Sequence, residues 1–144
     1  MNFIIEAHTD IGTHKTNNED AYTYDIAKAT KGNVAFAVVC DGMGGLAKGE
    51  LASATVVKAF NKWFKEKLPQ VINSKNLENK IKNEWNQLVL EENFKISEYS
   101  NKNNIAMGTT IVCCLVIDNR CFVANIGDSR AYMVTDKVKQ ITRD

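Results

Sequence analysis

Val34-Ala35-Phe36-Ala37-Val38-Val39-Cys40-Asp41-Gly42-Met43-Gly44-Gly45 is the stretch that decides how this chain folds. Val34 to Cys40 is a nearly continuous apolar run bounded by glycine on both sides. Its length and β-branched content predict a buried strand. Asp41 follows at once, and the glycines after it predict that the chain breaks sharply. A carboxylate at the edge of a core is costly if it stands alone. A divalent cation would remove that cost, and hard cations such as Mg²⁺ and Mn²⁺ prefer oxygen ligands. Gly42 lets the backbone approach closely, so its carbonyl could also reach a metal. Asp-Gly is also an ordinary turn pair, but the longer string Asp-Gly-Met-Gly-Gly favours a site.

Downstream of this string the period changes. Ala52, Thr55, Val56, Ala59, Phe60, Trp63 and Phe64 recur at three- and four-residue steps, which predicts an amphipathic helix. Pro69 bounds it. A second helix is predicted over 77–100, with the stripe Leu77, Ile81, Trp85, Leu88, Ile96 and Tyr99 interrupted by Glu92. Trp63 and Trp85 therefore read as core residues. Upstream, residues 3–9 read as a strand, 10–20 as a loop and 21–26 as a second strand. Lys31-Gly32-Asn33 is a turn signal. Beyond the polar stretch Asn101–Asn104, strands are predicted at Ile111–Ile117 and Arg120–Ile126, joined at Asp118-Asn119 as a hairpin. Arg130–Val134 and Lys137–Ile141 predict a second hairpin around Thr135-Asp136. Strands, then two long helices, then strands again indicate an α/β (α+β) fold with antiparallel pairing rather than a parallel βαβ sheet.

The length of 144 residues suits one domain, 1–144. Eighteen basic and 17 acidic residues give a net charge of +1, which argues against nucleic-acid binding driven by bulk electrostatics. No stretch reaches the ~18 apolar residues of a membrane helix, and the N-terminus carries no secretory pattern. Cys40, Cys113, Cys114 and Cys121 lie in apolar strand-like runs and match no zinc spacing. They read as buried, reduced thiols of a cytoplasmic protein.

Four short segments mix carboxylate, hydroxyl or glycine residues at predicted strand ends. They are Asp10-Ile11-Gly12 through Asn18-Glu19-Asp20, then Asp41 to Gly45, then Gly108-Thr109-Thr110, then Gly127-Asp128-Ser129-Arg130. Singly, each reads as a turn, a cap or a solvated acid. In this order they resemble the metal-dependent protein phosphatase 2C family of serine/threonine phosphatases. Asp10-x-Gly12-x-x-Lys15-x-x-Asn18-Glu19-Asp20 is similar to that family's opening motif. Val39 to Gly45, with Gly49-Glu50-x-Ala52-Ser53 behind it, is similar to its signature. Gly108-Thr109-Thr110 and Ala124 to Tyr132 are similar to two further blocks.

The resemblance implies an α-β-β-α sandwich: two antiparallel sheets flanked by helix pairs. It implies a binuclear Mn²⁺/Mg²⁺ centre with Asp20 and Asp41 as ligands and Gly42 contributing its carbonyl. Glu19 would act through a metal-bound water, and Asp128 would help hold a third, weaker metal. The implied reaction is hydrolysis of phosphoserine and phosphothreonine by a metal-bridging hydroxide, without a phosphoenzyme. Lys15 stands where the family usually carries an arginine that grips the phosphate. Lysine supplies charge without a bidentate fork. Met43 stands where many eukaryotic members have histidine and bacterial members commonly have methionine, so the leaving group's proton would come from a metal-bound water. His8 and His14 match no family position. The family's later metal-ligand motifs have no counterpart before Asp144, so a truncated domain, inactive or weakly active alone, is expected. Phosphorylated proteins and a cognate serine/threonine kinase are the implied partners, with neither nucleic acid nor membrane. A phosphatase-like module that binds without catalysis is the alternative, and a dimer could close uncovered strand edges.

Overall fold

The apolar run becomes the centre of an antiparallel sheet because every second side chain has a core to enter. In the computed structural model, which describes residues 1–30, 32–45 and 48–144, β1 covers Asp20–Ala29 and β2 covers Gly32–Gly44. Helices α1 (Lys48–Glu66), α2 (Leu68–Val71) and α3 (Leu77–Asn103) follow. Then come β3 (Met107–Thr109), β4 (Ile111–Ile117), β5 (Arg120–Ile126), β6 (Tyr132–Val134) and β7 (Val138–Gln140). The five-stranded sheet runs β1-β2-β4-β5, with β3 beside the far end of β2, and β6-β7 form a separate ribbon. All pairings are antiparallel. None of the described helices is long and apolar enough to cross a membrane.

The sheet has two unlike faces. Val34, Phe36, Val38 and Cys40 of β2 and Ile111, Cys113, Leu115 and Ile117 of β4 point to the helices. There they meet Val56, Phe60, Trp63 and Phe64 of α1 and Leu77, Ile81 and Trp85 of α3. Phe36 stacks on Phe64 with centroids 4.7 Å apart, and Trp63 meets Trp85 edge-on at 5.4 Å. The other face carries cross-strand rows: Tyr22, Val39 and Val112; Tyr24, Ala37, Cys114 and Val123; Ile26, Ala35, Val116 and Cys121. Among the described residues this face is only partly covered, with Tyr24 47% and Val39 50% exposed.

The helices, the Asp118-Asn119 hairpin and the core tryptophans agree with the sequence reading. Four readings change. The chain does not break after Cys40: β2 continues through Gly44, because Gly42, Met43 and Gly44 find ladder partners in Thr109, Gly108 and Met107. Residues 3–9 form no strand, since they have no ladder partner among the described residues. Instead residues 5–10 line an open groove together with Tyr22, Tyr24 and Val39 on the outer face of the sheet. α3 runs through the polar end to Asn103 and stops where Asn104 turns left-handed, φ 50°, a conformation asparagine tolerates. Cys40 and Cys113 are buried, whereas Cys121, on the outward side of β5, is exposed. Of the predicted turn at Lys31-Gly32-Asn33, Lys31 lies outside the described residues. Glu92 interrupts the α3 stripe yet is buried, and it accepts a charged hydrogen bond from Lys95 at 3.0 Å.

Phe36 packs against Trp63 and Phe64 of α1 and is fully buried. Phe36→Ala is expected to cost about 3–5 kcal/mol, read as a lowered urea midpoint. Ile4, 91% exposed, is the control: Ile4→Ala should change stability by less than about 0.5 kcal/mol.

Candidate metal centre

Strand pairing itself brings the two aspartates together. Asp20 opens β1, Asp41 lies near the end of β2, and they are direct cross-strand partners. Alternation puts both on the outward face, one step beyond the Tyr22–Val39 pair. Direct partners hold their Cβ atoms about 4.5–5.5 Å apart, and like charges there repel. The Asp41 carboxyl is accordingly held above the usual carboxylate range. Partial burial is the first cause, and the hydrogen-bonding reach and charge of Asp20 come next. Lys15 opposes the shift and Asp128 adds to it. Asp41 keeps solvent contact, so the carboxylate pair, rather than burial, is the chemically informative cause.

Glu19 precedes this pair and turns to the helix side. Its carbonyl accepts from Gly42 N at 3.1 Å and from Ser53 Oγ at 2.6 Å. Its carboxylate Oε2 is shielded from solvent and has no hydrogen-bond partner. The space around it is made by two glycines. A Cβ on Gly42 would stand 2.6 Å from the Glu19 carbonyl oxygen, and a Cβ on Gly49 would collide with Glu19 Oε2 and stand 2.6 Å from Met43 N.

Thr110 fixes the Asp41 backbone from both sides. Its N–H donates to the Asp41 carbonyl at 2.9 Å, and Asp41 N–H donates to Thr110 Oγ1 at 3.0 Å. The same hydroxyl meets Ser129 Oγ at 2.6 Å, which docks the Gly127–Arg130 loop carrying Asp128. Gly127 has φ +101° and packs where a Cβ would stand 2.7 Å from Thr110 Cγ2. Asn18 steadies the entry to β1: its Oδ1 accepts from Asp20 N at 3.1 Å and its Nδ2 donates to Thr9 Oγ1 at 2.8 Å.

All four segments thus meet at one end of the sheet. Asp20 and Asp41 are brought face to face, Glu19 and Gly42 lie on the helix side of them, and Lys15 and Asp128 are exposed and act on Asp41 through their charge. Among the described residues, no three His, Cys, Asp or Glu side chains converge closely enough to hold a metal ion. His8 and His14 are exposed. The donors present still suit a hard divalent cation: two repelling carboxylates, and a shielded carboxylate oxygen with no partner, which is costly to leave unsatisfied. Ser53, Gly49 and the Thr110 hydroxyl hold the site together in ways that the sequence reading did not assign. The visible signal was Gly49 and Ser53 four residues apart, two small residues on one helix face where another backbone approaches.

The family described as protein phosphatase 2C matches residues 11–143. The serine/threonine phosphatase stp of Listeria monocytogenes is 31% identical over 144 residues, covering 96% of this chain and 53% of that protein. The protein phosphatase PhpP of Streptococcus pneumoniae is 31% identical over 140 residues, covering 94% and 52%. Among solved structures, the serine/threonine phosphatase Stp1 from Staphylococcus aureus is similar with a TM-score of 0.74 and 36% identity, over 95% of this chain and 52% of that one. The catalytic domain of the serine/threonine phosphatase PstP, solved in complex with 2 manganese ions, is similar with a TM-score of 0.69 and 30% identity, over 94% and 53%. The chain spans about half the length of the relatives it matches.

The glycine contacts carry an expected outcome whose sign is a contest. Helix propensity alone favours Ala over Gly by about 0.8–1.0 kcal/mol. At Gly49 the new methyl meets backbone atoms that cannot retreat, so Gly49→Ala is expected to destabilise by about 1–3 kcal/mol. Gly45→Ala, with open space around it, should be far milder in the same urea titration.

Proposed function

Because the chain belongs to the protein phosphatase 2C family, we propose that it carries half of a metal site for hydrolysing phosphoserine and phosphothreonine in proteins. The observation that carries this reading is the face-to-face Asp20–Asp41 pair with the unpartnered Glu19 oxygen behind it. Asp20 and Asp41 would hold Mn²⁺ or Mg²⁺, Gly42 would add its carbonyl, Glu19 would act through a water, and Asp128 would serve a third, weaker position. When bound, two such ions neutralise phosphate charge and bring the ionisation of water near neutral pH. The chain's own residues do the rest. Thr110 holds Asp41 in place through the backbone. Ser53 and Gly42 hold Glu19 by its carbonyl, leaving its side chain free to accept. Lys15 offers a point charge to the phosphate. Asp20, Asp41 and Asp128 are solvent-accessible, which suits a phosphorylated segment of another protein. The metal-bound PstP relative supports the choice of ion. The cellular counterpart would be a serine/threonine kinase.

One observation favours a second reading, a phosphatase-like module that binds without turnover. Among the described residues no three ligating side chains converge. Calorimetry with Mn²⁺ and release of phosphate from a phosphothreonine peptide separate the two. Turnover that requires Mn²⁺ and falls at least about 100-fold in Asp41→Asn is expected for the enzyme, since even outer-shell partners of metal ligands cost up to that much. The assay is run on this chain and, where the natural polypeptide extends further, on the longer form. Mn²⁺ binding with no turnover in either would assign the binding module, and neither binding nor turnover would sink both readings.

Lys15 gives a finer test in whichever form is active. Lys15→Arg should lower the Michaelis constant, because a guanidinium grips phosphate with two parallel hydrogen bonds where an ammonium supplies a point charge. An unchanged constant would show that Lys15 does not touch the phosphate.

A further inference from the structure

Cys121, Phe122, Val123 and Ala124 of β5 line one side of an open groove of about 400 Å³, and Ile81 and Trp85 of α3 line the other. Successive side chains of a strand point to opposite faces. Four consecutive lining residues therefore place the groove along the edge of β5, between the strand and the helix, rather than under one face of the sheet. Among the described residues β5 pairs only with β4. The hairpin fixes which of its backbone groups are left over. Ile117 and Arg120 close the two-residue Asp118-Asn119 turn, so they exchange their hydrogen bonds with each other. Bonded and non-bonded pairs alternate from there. Cys121 and Val123 thus turn their N–H and C=O groups away from β4, toward the open edge.

Edge strands usually carry charges, proline or a bulge that keep another strand from adding. β1, at the opposite edge, carries Asp20, Asp25 and Lys28. β5 has a single charge, Arg120 at its turn end, no proline, and an unbroken register with β4. Its far end is already covered, because Asn125 Nδ2 donates to the Arg143 carbonyl at 3.0 Å. The open run is therefore Cys121 to Ala124, the same residues that line the groove.

We propose that this edge binds an extended segment of another protein, which adds to the sheet as a further strand beside β5. Main-chain hydrogen bonds to Cys121 and Val123 supply the affinity, and alternate apolar side chains of the segment enter the groove against Ile81 and Phe122. Glu78 and Lys82 at the groove oppose each other in charge, so apolar alternation rather than net charge selects the segment. A second copy of the chain suits the edge less well. Paired strands lie about 4.8 Å apart, whereas packed helices need about 8–10 Å. Two β5 edges joined to each other would crowd the α3 helices that stand beside them. The groove lies on the helix side of the sheet and takes nothing from the Asp20–Asp41 pair, so it is independent of the phosphatase reading.

The test selects binders to the native chain from a phage library of random heptapeptides and synthesises the most enriched one. Apolar residues at alternate positions are expected in it. Amide exchange followed by NMR should show the Cys121 and Val123 N–H groups unprotected in the free chain and protected when the peptide is bound. Val123→Pro removes one edge-facing donor at a position where a strand tolerates proline, and should weaken binding about tenfold. Methylating alternate backbone amides of the peptide should do the same with the protein unaltered, which keeps the test decisive if the proline disturbs the hairpin. Tyr24→Ala, on the outer face, should leave the affinity unchanged. No enriched peptide, an affinity that survives both changes, or protection confined to other residues would overturn the proposal. So would a doubled mass with Cys121 and Val123 protected before any peptide is added, which would assign the edge to a second copy. Where the natural polypeptide extends further, failure of that longer form to bind the peptide would assign the edge to its own chain and equally overturn the proposal.

Discussion

Thr110 holding the Asp41 backbone by both its N–H and its carbonyl is the constraint on which the rest of the site depends. At this point β2 leaves its long pairing with β4 and takes up its short pairing with β3. A strand that changes partners would leave backbone groups unpaired at the junction, and unpaired buried groups are costly. One threonine supplies both missing partners. Its hydroxyl then reaches Ser129 and anchors the loop that carries Asp128. Asp41, the β3–β4 junction and the Asp128 loop are thereby positioned by one side chain, and β1 pairing adds Asp20 to the same place.

Legibility in the sequence followed the range of the interactions. The helix stripes were readable because their period is local, and Trp63 and Trp85 sit in the core as the spacing required. The β4–β5 hairpin was readable because Asp118 adopts φ 50° beside Asn119, a local turn conformation. The glycine string was misread because glycine is depleted in strands, whereas its ladder partners lie in Met107–Thr109, far along the chain. The run at 3–9 was misread because its strand-prone apolar residues carry no information about a backbone partner, and they find none among the described residues. Within the site, the aspartates were visible as residue types in a family pattern. The shielding of Glu19 by Gly42 and Gly49 was not, because it depends on a strand, a loop end and a helix start meeting in space.

The sheet's two faces explain why these residues could be read differently from their neighbours. Inward positions alternate strictly with outward ones, so Glu19 and Gly42 belong with the helices while Asp20 and Asp41 belong with Tyr22 and Val39. The candidate centre therefore straddles the edge of the sheet. Its backbone supports come from the packed side, and its paired carboxylates emerge on the apolar outer side. Rigid support behind and access in front is the arrangement that positioning of a metal ligand demands.

Global charge conceals what the site does. The chain carries 18 basic and 17 acidic residues, yet Glu19, Asp20, Asp41 and Asp128 gather at one sheet end with Lys15 as the nearby cation acting on Asp41. Like-charge repulsion between cross-strand carboxylates works against the strand pairing that creates it, and the β1–β2 ladder and the Thr110 clamp hold Asp20 and Asp41 opposite one another regardless. Two carboxylates set opposite one another gain nothing in stability from their mutual charge, and in the proposed reading a divalent cation bound between Asp20 and Asp41 would reverse the sign of that interaction.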